Sequence, residues 1–523
     1  MKGLLTAACV VLTTATSSLC AEEYSYLARP FGDPVGPLPT PDGVCAIVHQ
    51  LIVARYTSDE WAVTPYRQPF PIPDKRPGAD PAETSAFGCP YQLISLTTSQ
   101  QPAPSYYPMF RSGDGCKDGR LHNPASGKCE APDEEQLRKA LGDAAERQSA
   151  GVIFCGNPVN VGAGNKFERD EDYADSDGEL RFVRFYNGLV GTWRHSYSAT
   201  LLVAKRGSVV TFDDGYSAVF KKTNDTLIPE PGELGSLVKV VPGWLYTSAS
   251  NEKLAFDERG VLIGMVAANG AEQRVTHEPG SGGDVVIHVT DSRGHSLSIV
   301  ENPYGILKTM SINDLTTSYA FDIHGQLESV TKLRGSQEST RKYLYEDKRN
   351  HSWLTGLVDE RGIRYASWSY DEFGRAISSE HAGAADRVTM TYGDDQTSVT
   401  NALGHVTRYS YRVFQGVRRV VVVDGEPAAG CPASNSTFAY TQAGQLQTHK
   451  DALGHVTSYE YDDQGRETRR ASVHGTTQER VTTFTWDGVS RRPATITTPG
   501  RVTTYQYDGK GRQINVTVSA NKE

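Results

Sequence analysis

The stretch Tyr370-Asp371-Glu372-Phe373-Gly374-Arg375 decides the fold, because the chain writes it again. It recurs as Tyr461-Asp462-Asp463-Gln464-Gly465-Arg466 and as Tyr507-Asp508-Gly509-Lys510-Gly511-Arg512. Looser copies set Phe256-Asp257 before Gly260, Phe321-Asp322 before Gly325, Tyr440 before Gly444 and Trp486-Asp487 before Ser490-Arg491. From Tyr440 the copies step through Tyr461, Trp486 and Tyr507, at intervals of 21, 25 and 21 residues. A longer match sets Asn401–Tyr411 against Asp451–Tyr461, with eight of eleven positions identical. Self-similarity at this period means a repeat architecture.

The repeat has a mechanical reading. In Val502-Thr503-Thr504-Tyr505-Gln506-Tyr507 the two tyrosines share one face of a strand, with Thr504 and Gln506 on the other. Asp508 can accept backbone N–H bonds across the turn, and Gly511 supplies the left-handed conformation that closes it. Asp371 with Gly374 and Asp462 with Gly465 repeat those roles, each behind its tyrosine (Tyr370, Tyr461). Each unit is thus a Tyr-faced strand, an Asp-x-x-Gly turn and a returning strand. One such hairpin is marginal in water, so neighbours must stack edge to edge and share a sheet.

Composition agrees. The 523 residues are 38% hydrophobic and 22% charged, with 50 Gly, which excludes a disordered, collagen-like or coiled-coil chain. Tyr leads the aromatics, 26 against 16 Phe and 6 Trp, and favours strands. A formal charge of −9 argues against a nucleic-acid partner.

The first residues read as export. Lys2, the apolar run Leu4–Leu12 and the small-polar stretch Thr13–Ser18 have the layout of a signal peptide over 1–21, cleaved after Cys20 or Ala21. No later segment offers the apolar length of a membrane span. Six cysteines then remain, Cys45, Cys89, Cys116, Cys129, Cys155 and Cys431, and 15 pairings are open to them. Cys116 and Cys129 flank a compact Gly/Asn/Pro segment, so a local bridge is expected there, with Cys45 to Cys89 a weaker expectation. No Cys-x-x-Cys pair favours zinc instead.

Residues 22–150 form a Cys/Pro-rich N-terminal domain, with a short helix near Val44–Ala54 and a closing amphipathic helix over about 132–148. Pro132, early acids and the face Leu137, Ala140, Leu141, Ala144 carry the second helix. Residues 151–245 read as a β-rich opening domain, with a hairpin from Val209–Phe212 to Tyr216–Phe220, and 246–523 as the repeats.

The Tyr-Asp-x-x-Gly-Arg units resemble the YD repeats of the Rhs/teneurin superfamily. The order Gly156-Asn157-Pro158, Gly164-Asn165-Lys166-Phe167, Leu180–Asn187 and Gly191–Tyr197 is similar to the domain that opens the repeats in bacterial Rhs proteins. The resemblance implies a mainly β fold, hairpin repeats winding into a spiral sheet that encloses a polymorphic toxin. Asp-Pro-x-Gly occurs only at Asp33–Gly36, ahead of the repeats; the core signature and a toxin segment are not found within 246–523, so an open arc of such a shell is expected, with the strand Ile514–Ser519 as an edge. A protein partner or downstream polypeptide would pair there.

No catalytic, cofactor or metal residue is nominated. Gly-x-Ser-x-Gly, His-Glu-x-x-His and Walker patterns are lacking. His405 and His455 recur in register with the repeat, and Trp193, Arg194 and His195 are read as locking a strand junction. The resulting expectation is a secreted, periplasmic or cell-surface scaffold without enzymatic activity. Its rival is a module that binds a glycan or surface partner on aromatic rows.

Overall fold

In a computed structural model the structure describes most of residues 25–143 and nearly all of 151–521. The described chain is mainly β, with α-helices α1 (Pro41–Tyr56) and α2 (Pro132–Lys139).

The N-terminal unit is a five-stranded sheet covered by α1. Val44, Cys45, Val48 and Ile52 fall on one helix face and pack against Tyr26, Phe87 and Met109. A Cys45–Cys89 disulfide ties the helix to the strand Ala86–Tyr91. Cys116 lies outside the described residues, and with it the expected Cys116–Cys129 bridge, as do residues 144–150.

The second helix is shorter than the 132–148 expected. It ends at Lys139, and the chain turns through Leu141 to Gly142, where φ is +70°. Three anchors explain the break. Arg138 and Lys139 are drawn into buried ion pairs with Glu230. The Gly142 amide donates to Asn187 Oδ1 at 2.7 Å.

Beyond residue 151 come a hairpin, a three-stranded sheet from Phe167–Ala174 to Thr192–His195, and a four-stranded sheet from Thr200–Ala204 to Thr226–Pro229. Then one antiparallel meander of 26 strands runs from Ser236–Val240 to Gln513–Ala520, each strand pairing with the next in sequence.

The repeats build that meander in a uniform way. Asp371 Oδ1 accepts the amides of Phe373 and Arg375, both at 2.9 Å, while Oδ2 takes Arg375 Nε at 2.7 Å. Asp462 and Asp508 do the same for Gln464 with Arg466 and Lys510 with Arg512. Gly374, Gly465 and Gly511 sit at φ of 79°, 76° and 80°, a region that costs other residues strain. The ladder register shifts at Tyr370, Tyr461 and Tyr507, and such a bulge bends the strand and raises its twist. Each tyrosine hydroxyl then reaches back to the preceding hairpin: Tyr370 to Leu354 O, Tyr461 to Leu446 O and Tyr507 to Pro493 O, at 2.6–2.8 Å.

Curvature brings the meander round onto its own beginning. Lys510 Nζ meets Glu272 Oε1 at 3.0 Å across 238 residues, and Arg491 donates to Ser248 O at 3.2 Å. The sheet does not close into a barrel, because its first and last strands are not paired.

A close approach at Gly260 provides a test. Its φ is +82°, and a Cβ there would run into the Leu201 carbonyl of the four-stranded sheet. Gly362 has a similar φ, +77°, but faces open space. Gly362→Ala should lose about 1 kcal/mol from backbone strain. Gly260→Ala should lose clearly more, read as a larger drop in the urea midpoint. Equal drops would contradict the contact.

Candidate functional site

The most densely built polar region is the seat of residues 151–229 on the tyrosine-lined inner face of the meander. One hydrophobic cluster spans that seam, joining Phe182, Tyr186 and Phe220 to Ile299, Tyr343, Trp368 and Tyr409. Charged groups are sunk into it at three points.

The first centres on Arg184, on the strand Arg181–Asn187. Its Nε meets Asp172 Oδ2 at 2.5 Å and its Nη2 meets Tyr343 Oη at 2.9 Å and Asp170 Oδ2 at 3.4 Å. From the meander, Tyr343 donates to Asp170 at 2.5 Å and Tyr319 to Asp172 at 2.9 Å. Arg341 and Lys332 add a cation to each aspartate, at 3.0 and 3.2 Å. Burial pushes the Asp172 carboxyl up, but the Arg184 charge and hydrogen bonds outweigh it and hold it below the usual range. Burial, with the aspartates beside them, pushes the Tyr319 and Tyr343 hydroxyls well up.

At the second point Lys166 is fully buried. Its ammonium donates to Asn157 O at 2.6 Å, Phe167 O at 2.7 Å and Glu168 Oε2 at 2.5 Å, and lies 4.2 Å from the Trp368 ring centre. Three acceptors match its three donors. Burial lowers the Lys166 pKa and raises that of Glu168, each against its partner's charge.

The third is the end of α2. Arg138 grips Glu230 in a two-pronged pair at 2.8 and 2.7 Å and donates to Ser217 O. Lys139 bonds Gln415 O, in the meander, at 2.7 Å. Burial raises the Glu230 carboxyl, and the Arg138 hydrogen bonds and charge overcome it to leave the carboxyl lowered. A Cys155–Cys431 disulfide adds a covalent tie between the opening hairpin and the meander, 276 residues apart. Closing so long a loop is worth about 5 kcal/mol in the chain-entropy picture.

The residues singled out in the sequence fall into two sets. Trp193, Arg194 and His195 lie at this seam: Trp193 donates to Tyr345 Oη at 2.8 Å, Arg194 to Phe212 O at 3.0 Å, and His195 meets Glu301 at 2.7 Å. The repeat residues Tyr370, Asp371, Gly374, Tyr461, Asp462, Gly465, Tyr507, Asp508 and Gly511 stay apart, one set per turn. His405 and His455 are exposed at turns of the meander, and the His455 imidazole faces Asp451 at 3.1 Å.

Sequence reading missed Arg184, Asp170, Asp172, Lys166, Glu168, Arg138 and Glu230. A signal existed: Phe167–Ala174 places acids on both faces of the strand, Glu168, Asp170 and Asp172 on one and Glu171 on the other, an odd pattern for a strand with one face inside. Among the described residues Asp175, Asp291 and His295 bring metal-type donors within 4.8 Å of one another. Arg293 is bonded to both carboxylates and supplies the positive charge there.

Apart from the buried Arg184 Nη1, which has no hydrogen-bond partner, these groups spend their hydrogen bonds on one another or on nearby carbonyls, so chemically the arrangement is a clamp between two layers. Of the tyrosines that could stack on a sugar, Tyr343, Tyr370 and Tyr409 are buried in it, while Tyr459, Tyr461, Tyr505 and Tyr507 are half-buried.

The RHS Repeat family model matches residues 440–477. Toxin protein Tse5 of Pseudomonas aeruginosa is 30% identical over 162 residues, 29% of this chain and 11% of that protein. The probable deoxyribonuclease RhsB of Dickeya dadantii is 25% identical over 223 residues, 40% of this chain and 14% of that protein. The chain therefore matches only a small part of the length of either relative. A chain of the TcdB2–TccC3–Cdc42 crystal structure aligns over 65% of this chain and 22% of its own length, at 12% identity and a TM-score of 0.29, too low to support an argument.

The clamp makes a pH-dependent prediction. The Asp172 pKa is depressed on folding, so its contribution is complete above its unfolded value, near 4, and is lost as pH falls below it. Arg184→Met leaves two buried carboxylates short of their cation and should cost about 3–5 kcal/mol at neutral pH. Asp172→Asn should also be less stable at neutral pH, yet lose less than wild type on acidification from about pH 4 to pH 2. Parallel pH profiles for Asp172→Asn and wild type would contradict the account.

Proposed function

We propose that this chain, an Rhs/YD-repeat protein, is an exported, non-enzymatic wall segment of the kind of shell that carries polymorphic toxins or decorates a cell surface. The carrying observation is the meander itself. It curves until its late turns rest on its early ones, and it presents an inner face that other polypeptide covers. Residues 1–21 as a signal peptide, 22–150 as a Cys/Pro-rich N-terminal domain, 151–245 as the opening domain and 246–523 as wall repeats are the division that fits this role.

Three things support the reading. The matched family model is a repeat model. The two relatives bear the names of a toxin and a probable deoxyribonuclease, while the stretches shared with them are a small part of each. The acidic balance of the sequence, a formal charge of −9, and the polar groups bonded to one another at the seam suit a container better than a nuclease. Export is supported by the leader-like N-terminus and by disulfides that persist in oxidising compartments. A protein partner, or further polypeptide, on the sheet edge completes the role.

The test is direct. Chain from residue 22 onward, expressed in the cytoplasm, should leave host growth unchanged, and the purified protein should leave supercoiled plasmid intact in the presence of Mg2+. Growth arrest or nicking would overturn the non-enzymatic reading.

A further inference from the structure

We infer that the exposed face of α1 is a self-association face, on which the same helix of a second copy packs antiparallel. The inference concerns the N-terminal unit and goes beyond the wall-segment reading, drawing on it only for removal of the leader. Val44, Cys45, Val48 and Ile52 spend one side of the helix on its own sheet. The other side is open: Ala46, Ile47, Gln50, Leu51 and Ala54 are exposed, Ile47 and Leu51 at 40% and 39%.

A helix with one face in water normally carries charged and polar residues there, and one that is apolar all round is built to be covered on every side. From Gly43 to Ala54 the helix holds no Asp, Glu, Lys or Arg. His49 is turned to its own unit, its Nε2 2.8 Å from Thr64 O, and Arg55 lies over the Phe31 ring, 4.4 Å from its centre. By contrast, α2 opens with Asp133, Glu134 and Glu135. Neighbouring stretches of the N-terminal unit offer no cover: 73–85, 98–104 and 113–121 hold one large aliphatic side chain between them, Leu121, and no aromatic. The apolar run Leu4–Leu12 could lie there only until the leader is removed.

The pattern of the face specifies the occupant. Ile47, Gln50, Leu51 and Ala54 recur at the i, i+3, i+4, i+7 spacing of a helix–helix seam. An uncharged seam is complementary to another uncharged seam, and a second copy supplies one. Antiparallel packing about a two-fold axis near Gln50 sets Ile47 of each copy against Leu51 and Ala54 of the other. The two Gln50 amides then meet at the axis, where each can donate to the other's carbonyl. Ala46 and Ala54 are small enough to let the helices approach closely. Parallel packing would set the two helix dipoles side by side in the same sense, where they repel. A helix of 16 residues is about 24 Å long, a small contact, so the dimer should be reversible.

The test uses the purified chain from residue 22 onward with its disulfides intact. Light scattering on a sizing column should show the mass rising from monomer toward twice that value as concentration increases. Ile47→Lys and Leu51→Glu, both at exposed sites, should each abolish that rise without changing the circular dichroism spectrum or melting temperature. Mixing the two variants should restore a dimer, because the introduced ammonium and carboxylate face each other across the axis at one of its two equivalent contacts. Should either substitution unfold the unit, Gln50→Cys keeps the test open. It should form a disulfide-linked dimer under mild oxidation, whereas Glu60→Cys, exposed beyond the helix, should not. A monomer at every concentration overturns the proposal, as does a dimer that both charged variants leave untouched or a mixture that stays monomeric. None of these outcomes touches plasmid integrity or host growth, so failure here is separable from failure of the wall-segment reading.

Discussion

A meander of antiparallel strands has two faces and no interior, so one face must find a cover before the sheet is stable in water. The whole architecture follows from how that requirement is met. Residues 151–229 sit on the tyrosine-lined face and share one hydrophobic cluster with it. The cover is bonded as well as packed. Arg184 with its aspartates, Lys166 with Glu168 and Arg138 with Glu230 place charges deep in the seam, where an ion without its partner is expensive. Such groups fix one seating of cover on wall, because any slip leaves a buried charge unpaired.

Cover is not evenly spread along the wall. From Ile287 to Tyr440 the inward aromatics and aliphatics are mostly buried. Past that point Tyr459, Tyr461, Phe484, Trp486, Tyr505 and Tyr507 are only half-buried, and the final strand is exposed throughout. The protein thus has a finished part, where wall and cover form one core, and a part whose inner surface is still accessible. That gradient links the fold to its proposed role: the same face that packs the opening domain continues as free lining.

Much of the wall was legible in the sequence because its determinants are local. The Asp-x-x-Gly turn, the face of the paired tyrosines and the need for neighbours all lie within a few residues, and Asp371, Asp462 and Asp508 bond in one pattern. The tyrosine hydroxyl bonds reach only one hairpin back, yet a face pattern gives no hint of them. What depends on distant partners was not legible. Asp170 meets Tyr343 across 173 residues, and Cys155 meets Cys431 across 276. The shortened α2 has the same origin: its periodicity continues past Lys139, but Arg138 and Lys139 are claimed by Glu230, and Gly142 by Asn187.

The central claim is that curvature accumulated turn by turn brings the end of the meander back to its beginning. Zero-length carbodiimide crosslinking of the monomer, followed by peptide mass spectrometry, addresses it at one pair of residues. Lys510 and Glu272 lie 3.0 Å apart and should be joined, alongside the sequence-local pair Lys308 and Asp284 at 2.6 Å. Recovery of the Lys308–Asp284 crosslink without Lys510–Glu272 would mean that the sheet does not come round, and the account of the wall would fail.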